Sequence, residues 1–211
     1  MDNPVIIFGA NDIGKAAKAI FESNNIVVYG FLDDDQKLHG QEIDDITVLG
    51  AMEDDGFLKL IDKKAEAFVA ADDNKVRKSI VALLKDRRKV MPVNAIHKNA
   101  KIDDKAHLGH GNFINNGAVI SAYAEVASHC LIQAGAIIDS NSKLGDFVQV
   151  GAGAVINNSV KIGENAFIGT GAVIVSGIKI GKGARVGAGS LVIADVGANE
   201  TVFGNPAQKV D

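Results

Sequence analysis

The chain has one cysteine, Cys130, no tryptophan, and aromatic residues at only 5% of its 211 positions. A single thiol excludes an internal disulfide framework and a Cys-rich zinc site. So few aromatics mean that any long core must be built from aliphatic side chains. No apolar run reaches the roughly eighteen residues of a membrane-spanning helix. The opening stretch Met1-Asp2-Asn3-Pro4-Val5-Ile6-Ile7-Phe8 lacks a basic leader region and a cleavage site, so the expectation is a cytoplasmic protein. A formal net charge of −4 argues against nucleic acid as partner, which calls for a basic face. With 47% hydrophobic and 23% charged residues the composition is neither disordered nor fibrous.

What the chain has in quantity is glycine, unevenly spread. Of 23 glycines, six precede Pro92 and seventeen follow it. Charge changes at the same place: residues 1–95 carry 13 Lys+Arg against 17 Asp+Glu, and residues 96–211 carry 9 against 9. Two compositional regimes imply two domains, 1–93 and 94–211, with the seam at Met91-Pro92-Val93-Asn94.

The second regime is a repeat. From Ile96 in steps of six the chain reads Ile102, Leu108, Ile114, Ile120, Val126, Ile132, Ile138, Leu144, Val150, Ile156, Ile162, Ile168, Ile174, Ile180, Val186 and Val192. All seventeen positions are Ile, Leu or Val, where the 56 such residues in the chain would supply about four or five by chance. Two places earlier sits a small residue, as at Ala118, Ala124, Cys130, Ala136, Ala154 and Ala166. A period of six suits neither a 3.6-residue helix nor a series of hairpins. It suits a solenoid of short parallel strands, each giving one aliphatic and one small residue to the interior. Three such faces close a triangular coil of eighteen residues. At one strand spacing per coil, five to six coils make a prism roughly 25–30 Å tall.

The first regime alternates strand and helix, as a small doubly wound parallel sheet does. Strands are expected at Val5–Phe8, Ile26–Leu32, Ala67–Ala71 and Lys89–Val93, with helices after Gly14, over Phe57–Lys64 and over Asn74–Lys85. The turn Gly9-Ala10-Asn11-Asp12-Ile13-Gly14 opens a helix directly after the first strand, where backbone N–H groups suit a pyrophosphate. It lacks the second glycine of the dinucleotide fingerprint. Asp33-Asp34-Asp35 ends the second strand, where acids suit ribose or base hydroxyls and disfavour the extra phosphate of NADP.

A Rossmann-like domain followed by hexapeptide repeats resembles the sialic-acid O-acetyltransferase and bacillosamine-type UDP-amino-sugar N-acetyltransferase family. The resemblance rests on Val5-Ile6-Ile7-Phe8-Gly9-Ala10-Asn11-Asp12-Ile13-Gly14, Phe31-Leu32-Asp33-Asp34-Asp35, Asp72-Asp73-Asn74-Lys75-Val76-Arg77-Lys78, the run from Leu144 to Val155, and the ending Val202-Phe203-Gly204-Asn205-Pro206. It implies a left-handed parallel β-helix, although the usual crossover rule favours the opposite hand. It also implies a homotrimer with acetyl-CoA as co-substrate, no metal, and a nucleotide-sugar acceptor. The acceptor would lie at Gly9, Ala10, Asn11, Asp33, Asp34, Asp72, Asp73 and Asn74, with Ile13 where the family carries a histidine. Acetyl-CoA would lie along Asn158 and, across a subunit interface, Gly169, Thr170, Gly187 and Ala188, with Pro206 near its nucleotide end. Ala134, Ala152, Thr170 and Ala188 are one coil apart and form a ladder of small residues, an open shelf for a long thin ligand.

The chemistry departs from the family at one place. The general-base histidine, flanked by acids, corresponds to Asp139-Ser140-Asn141, and a second family histidine corresponds to Gln149. A serine hydroxyl is a weak base at neutral pH, and loss of a positioned base costs about 10²–10⁴-fold in rate. Of the five histidines, only His129 falls among coils expected to border the groove, which makes it the candidate replacement. The reading is an acetyl-CoA-dependent acetyltransferase acting on a nucleotide-linked amino sugar or related glycan precursor. The alternative is a family member that keeps the ligand pockets and serves as a binding or scaffold protein.

Overall fold

The apolar run Val5–Phe8 forms β1, and all four side chains are buried. It is flanked by two parallel strands, β2 (Val28–Leu32) and, beyond a later helix, β5 (Glu66–Val69). Between them in sequence lie β3 (Glu42–Ile43) and β4 (Ile46–Gly50), an antiparallel pair that extends the sheet past β2. The order is β3-β4-β2-β1-β5. The helices are α1 (Asp12–Ser23), α2 (Asp55–Leu58) and α3 (Asn74–Arg88). Alternation along β1 divides the core between two faces. Ile6 and Phe8 join Leu58, Ile80 and Leu84 of α2 and α3. On the other face Phe21 of α1 meets Phe68 edge-on at 5.6 Å. Each fully buried side chain of this size contributes roughly 1.5–3 kcal/mol.

This computed structural model describes residues 3–210, in two compact units, 1–98 and 99–211. In the first unit three elements differ from the sequence expectation. The β3–β4 pair is additional. α2 ends at Leu58 instead of Lys64, because the chain turns back through Asp62, at φ 72°, to pair Ile61 with Ala65. Lys89–Val93 is not a strand: Lys89 closes α3 in the left-handed region at φ 60°, Pro92 has no N–H to give, and Val93 N–H donates to Ala67 O.

The second unit is a left-handed parallel β-helix of three faces. The first face carries Val119–Ile120, Ile137–Ile138, Val155–Ile156, Val173–Ile174 and Leu191–Val192, above Lys101–Ile102. The second carries His107–Leu108, Glu125–Val126, Lys143–Leu144, Lys161–Ile162 and Lys179–Ile180. The third runs from Phe113–Ile114 through Leu131–Ile132, Gln149–Val150 and Phe167–Ile168 to Arg185–Val186, and ends in the hairpin Thr201–Gly204/Ala207–Lys209. Steps within a face are eighteen residues, as in Val119↔Ile137↔Val155, until the last on the third face, where Arg185 pairs with Thr201. The six-residue register is visible in burial: its positions from Ile114 to Val192 are each at most 4% exposed, and Ile96, Ile102 and Leu108 at the start of the series are half-buried. Glycine beside the strands lets the coils close up. A Cβ at Gly151 would stand 2.4 Å from Thr170 N, so no other residue fits there without moving backbone.

The three edges of the prism differ. The first edge, following the first face, carries Ser140 and Asn158. The second carries His129 and Phe147. The third carries Ala134, Ala152, Thr170 and Ala188. The first and third edges therefore flank the first face.

Candidate functional sites

In the first unit the glycine turn is fixed by close approach. Gly9 has φ 117°, and a Cβ there would meet Ala70 O at 2.3 Å; one on Gly14 would meet Gly9 O at 2.0 Å. Asn11 caps α1 by accepting from Gly14 N–H at 3.1 Å and donates from Nδ2 to Ala70 O at 2.7 Å. That bond ties the turn to the segment after β5, where Asp73 caps α3. Asp73 Oδ1 accepts from Lys75 N–H at 2.7 Å and Val76 N–H at 3.0 Å. These two bonds hold the Asp73 carboxyl below its ordinary pKa of 3.8. Between turn and loop lies a concavity of about 410 Å³ lined by Asn11, Asp12, Ile13, Ala71, Asp72, Asp73 and Val76.

Thus Asn11, Asp72 and Asp73 come together, with Asn74 directly behind them on α3. Asp33 and Asp34 do not join them at this concavity. Asp33 Oδ2 accepts from Ala10 N–H at 2.8 Å and its Oδ1 from Asp35 N–H at 2.9 Å. Asp34 Oδ1 accepts from Met52 N–H at 3.0 Å. Both acids brace the ends of β2 and β4 against the glycine turn, and Gly9 and Ala10 form the back of that turn. Sequence reasoning named Ile13 only as the place of a family histidine and passed over Val76; both wall the concavity. Their placement in the first turns of α1 and α3 was a readable signal.

In the second unit Ser140 turns the first edge. Its N–H donates to Asp139 Oδ1 at 2.7 Å, and its carbonyl accepts from Asn158 Nδ2 at 2.9 Å. Ser159 Oγ then donates to Asn158 Oδ1 at 2.7 Å. Asn141, at φ 60°, projects into solvent. Beneath Ser140 lies an open concavity of about 650 Å³, whose polar lining is Lys101, Asp103, Ser121 and Ser140. On the third edge Ala134, Thr170 and Ala188 are exposed and Ala152 half-buried, so the ladder is open to solvent. Gly169 and Gly187 stand beside it for packing reasons. A Cβ on Gly169 would meet Ala188 N at 2.5 Å, and one on Gly187 would meet the Phe203 ring at 2.2 Å. Pro206 follows a cis peptide in the turn of the terminal hairpin.

His129 needs correction as an outward replacement base. It stands on the second edge, away from Ser140, and is only 4% exposed. Its ring lies against Phe147 of the next coil, 4.9 Å between centroids. The eighteen-residue step that put His129 below Phe147 also covers it. Among the described residues no three His, Cys, Asp or Glu side chains converge to hold a metal.

Two family matches accompany this geometry. Residues 4–84 match the PglD N-terminal domain family, and residues 159–194 match the bacterial transferase hexapeptide (six repeats) family. No curated protein sequence matches the chain. Solved structures match over its full length. PerB from Caulobacter crescentus, in complex with CoA and GDP-perosamine, is 27% identical with a TM-score of 0.90, covering 100% of this chain and 99% of that one. A histidine-to-alanine variant of GDP-perosamine N-acetyltransferase from the same organism, also holding CoA and GDP-perosamine, is 26% identical with a TM-score of 0.91, covering 100% and 98%. The acetyltransferase domain of PglB from Neisseria gonorrhoeae, with acetyl coenzyme A, is 24% identical with a TM-score of 0.89 over 100% of both chains, a likeness of fold.

Proposed function

We infer that this chain, a PglD-type N-terminal domain joined to a hexapeptide-repeat β-helix, belongs to the nucleotide-amino-sugar acetyltransferase family and transfers acetyl from acetyl-CoA to a nucleotide-linked amino sugar. The observation that carries this is full-length similarity, domain by domain, to an enzyme whose solved complexes hold CoA and GDP-perosamine. The acceptor nucleotide occupies the concavity at Asn11, Asp72 and Asp73. Acetyl-CoA runs along the shelf of Thr170 and Ala188, beside Gly169 and Gly187, with Asn158 facing it and Pro206 near its nucleotide end.

That arrangement joins two different edges, and a trimer supplies the junction. Above Lys101 the outward residues of the first face are Val119, Ile137, Val155, Val173 and Leu191, whereas the second face presents His107, Glu125, Lys143, Lys161 and Lys179. An apolar face beside a charged one favours burial of the former. Three prisms with their first faces turned to a common axis bring the first edge of one against the third edge of the next. Ser140 and Asn158 then meet a neighbour's Thr170 and Ala188. The cytoplasm, where nucleotide-sugar precursors and acetyl-CoA are made, is the matching compartment.

In the reaction the acceptor amine attacks the thioester carbon. The C–N bond forms, the C–S bond breaks, and CoA leaves as the thiol once it has gained a proton. Corner N–H groups stabilise the oxyanion in between. A free amine attacks without prior proton removal, though more slowly than with a positioned base; Ser140 orients it, and the Asp139 carboxylate receives the proton after attack. A histidine-to-alanine variant of the perosamine enzyme still holds both ligands, so in that enzyme binding survives the loss of one histidine.

The test mixes the protein with acetyl-CoA and GDP- or UDP-linked 4-amino sugars and follows thiol release. Acceptor-dependent release from a particle of about 66 kDa, three chains of 22.0 kDa, is expected. A monomer by light scattering would remove the proposed junction. A trimer that binds acetyl-CoA and GDP-amino sugar but releases no thiol would favour the scaffold reading, for which Ser140 is the observation.

A further inference from the structure

The largest fully buried side chain in the molecule is a cation, Arg77, at 0% exposure. It lies one turn into α3, behind the loop that walls the acceptor concavity. Its Nη1 donates to the carbonyl oxygens of Ala71 and, at 3.1 Å, of Asp72, and its Nη2 donates to Asn74 Oδ1. One guanidinium thus holds three acceptors of a four-residue loop in a single planar fork.

The peptide geometry gives this latch a direction. In a planar trans peptide the C=O and the following N–H point opposite ways. Drawing the Ala71 and Asp72 carbonyls inward to Arg77 turns the N–H groups of Asp72 and Asp73 outward, away from the guanidinium. Ala71, Asp72 and Asp73 line the concavity, so these amides face the space assigned to the acceptor. Successive N–H groups aimed at one concavity bind oxygen atoms of a ligand. Anchoring matters because the rim itself is acidic. Asp12, Asp72 and Asp73 repel a nucleotide diphosphate unless oriented donors and a nearby cation offset them.

From this geometry we propose that Arg77 is a positioning residue of the acceptor site: it fixes the Ala71–Asp73 peptides so that their amides receive the nucleotide of the nucleotide-sugar acceptor. The inference rests on the proposed function and adds to it the group that sets the pocket's shape. Arg77 touches no reacting atom. Its influence falls on acceptor affinity and leaves the acetyl-CoA shelf, in the other unit, to its own residues.

The experiment measures GDP and UDP binding by calorimetry, and acceptor KM and kcat, for the intact protein and for Arg77→Lys and Arg77→Gln. Lysine keeps the charge and much of the bulk but cannot fork across three acceptors. Arg77→Lys is expected to weaken nucleotide binding about tenfold, with a matching rise in acceptor KM, while kcat at saturating acceptor and acetyl-CoA affinity stay within about twofold. Arg77→Gln, should it fold, is expected to weaken it further. A melting curve on each variant separates this from general loosening, which would lower kcat and KM behaviour together with the melting point. Wild-type nucleotide affinity retained in folded Arg77→Lys protein overturns the inference. Wild-type protein that binds neither GDP nor UDP overturns the acceptor reading itself, and this inference with it.

Discussion

Restoring a base at Ser140 is the sharpest test of how the first edge works. The change Ser140→His is paired with Asn141→Glu to orient the ring. Both residues sit on an outward turn whose backbone bonds do not use the Ser140 side chain. Glu at φ 60° costs about 1–2 kcal/mol, a strain the equivalent turn already carries at Phe147. Asp139 Oδ1 lies 2.7 Å from the Ser140 amide, so an imidazole there enters a site already flanked by a carboxylate. With an ordinary pKa near 6.5, roughly nine-tenths of the rings are neutral at pH 7.5 and able to accept a proton. A fully positioned base contributes about 10²–10⁴-fold. A ring added without co-adapted neighbours reaches a fraction of that, so about tenfold or more in kcat/KM is expected, or about 1.4 kcal/mol of barrier. The assay is thiol release under limiting acceptor, from pH 5.5 to 8.5. The variant acquires a limb that rises through the imidazole pKa and is missing from the wild type. Unchanged kcat/KM with unchanged affinity for both ligands would mean that Ser140 does not stand beside the thioester, and the edge assignment fails. His129→Ala serves as control: it should lower the melting point by uncovering Phe147 and leave the pH profile as it was.

Two further outcomes follow from packing and capping. Ile168, at 0% exposure between Val150 and Val186, becomes an unpaired buried charge as Ile168→Asp; the cost of several kcal/mol exceeds the stability of most domains, and a soluble, cooperatively melting variant would refute the six-residue register. Asp73 has a folded-state pKa below 3.8, so its stabilising charge is fully present above the unfolded value and is lost as pH falls through the folded one. The melting-point gap between wild type and Asp73→Asn should therefore be constant above about pH 5 and shrink as pH falls below the unfolded value; a gap that does not shrink on acidification would mean the carboxylate charge is not what caps α3.

The β-helix was legible because its code is redundant. Seventeen aliphatics in fixed register fix strand, face and coil together, and one exceptional residue such as Cys130 simply takes the small inward place. The first unit was less so. Ile46–Gly50 carries the β-branched run Ile46-Thr47-Val48, a local strand signal that went unread, and β2 offers it the parallel edge it pairs with. Lys89–Val93 looks extended and apolar, yet the left-handed closure of α3 and Pro92 deny it a ladder. The convergence of Asn11 and the Asp72–Asp73 loop on one concavity was readable from the strand–turn–helix pattern. The backbone bonds of Asp33 and Asp34 were not legible, because an acid at a strand end can serve a ligand, its own backbone, or both. His129 failed for a related reason: a corner residue is outward in the repeat, but the aromatic one coil above it covers its ring.

The eighteen-residue step has a consequence for how this chain can change over time. Removing one whole coil returns every later residue to the edge it left, so the insulated strand pairs simply re-form with new partners. Removing a single hexapeptide rotates everything downstream by a third of a turn and carries Thr170 and Ala188 onto a different edge from the one they now share. Lineages descended from such a chain should therefore gain and lose length in quanta of eighteen, and a protein engineer lengthening the prism to hold a longer thioester tail should insert in the same unit.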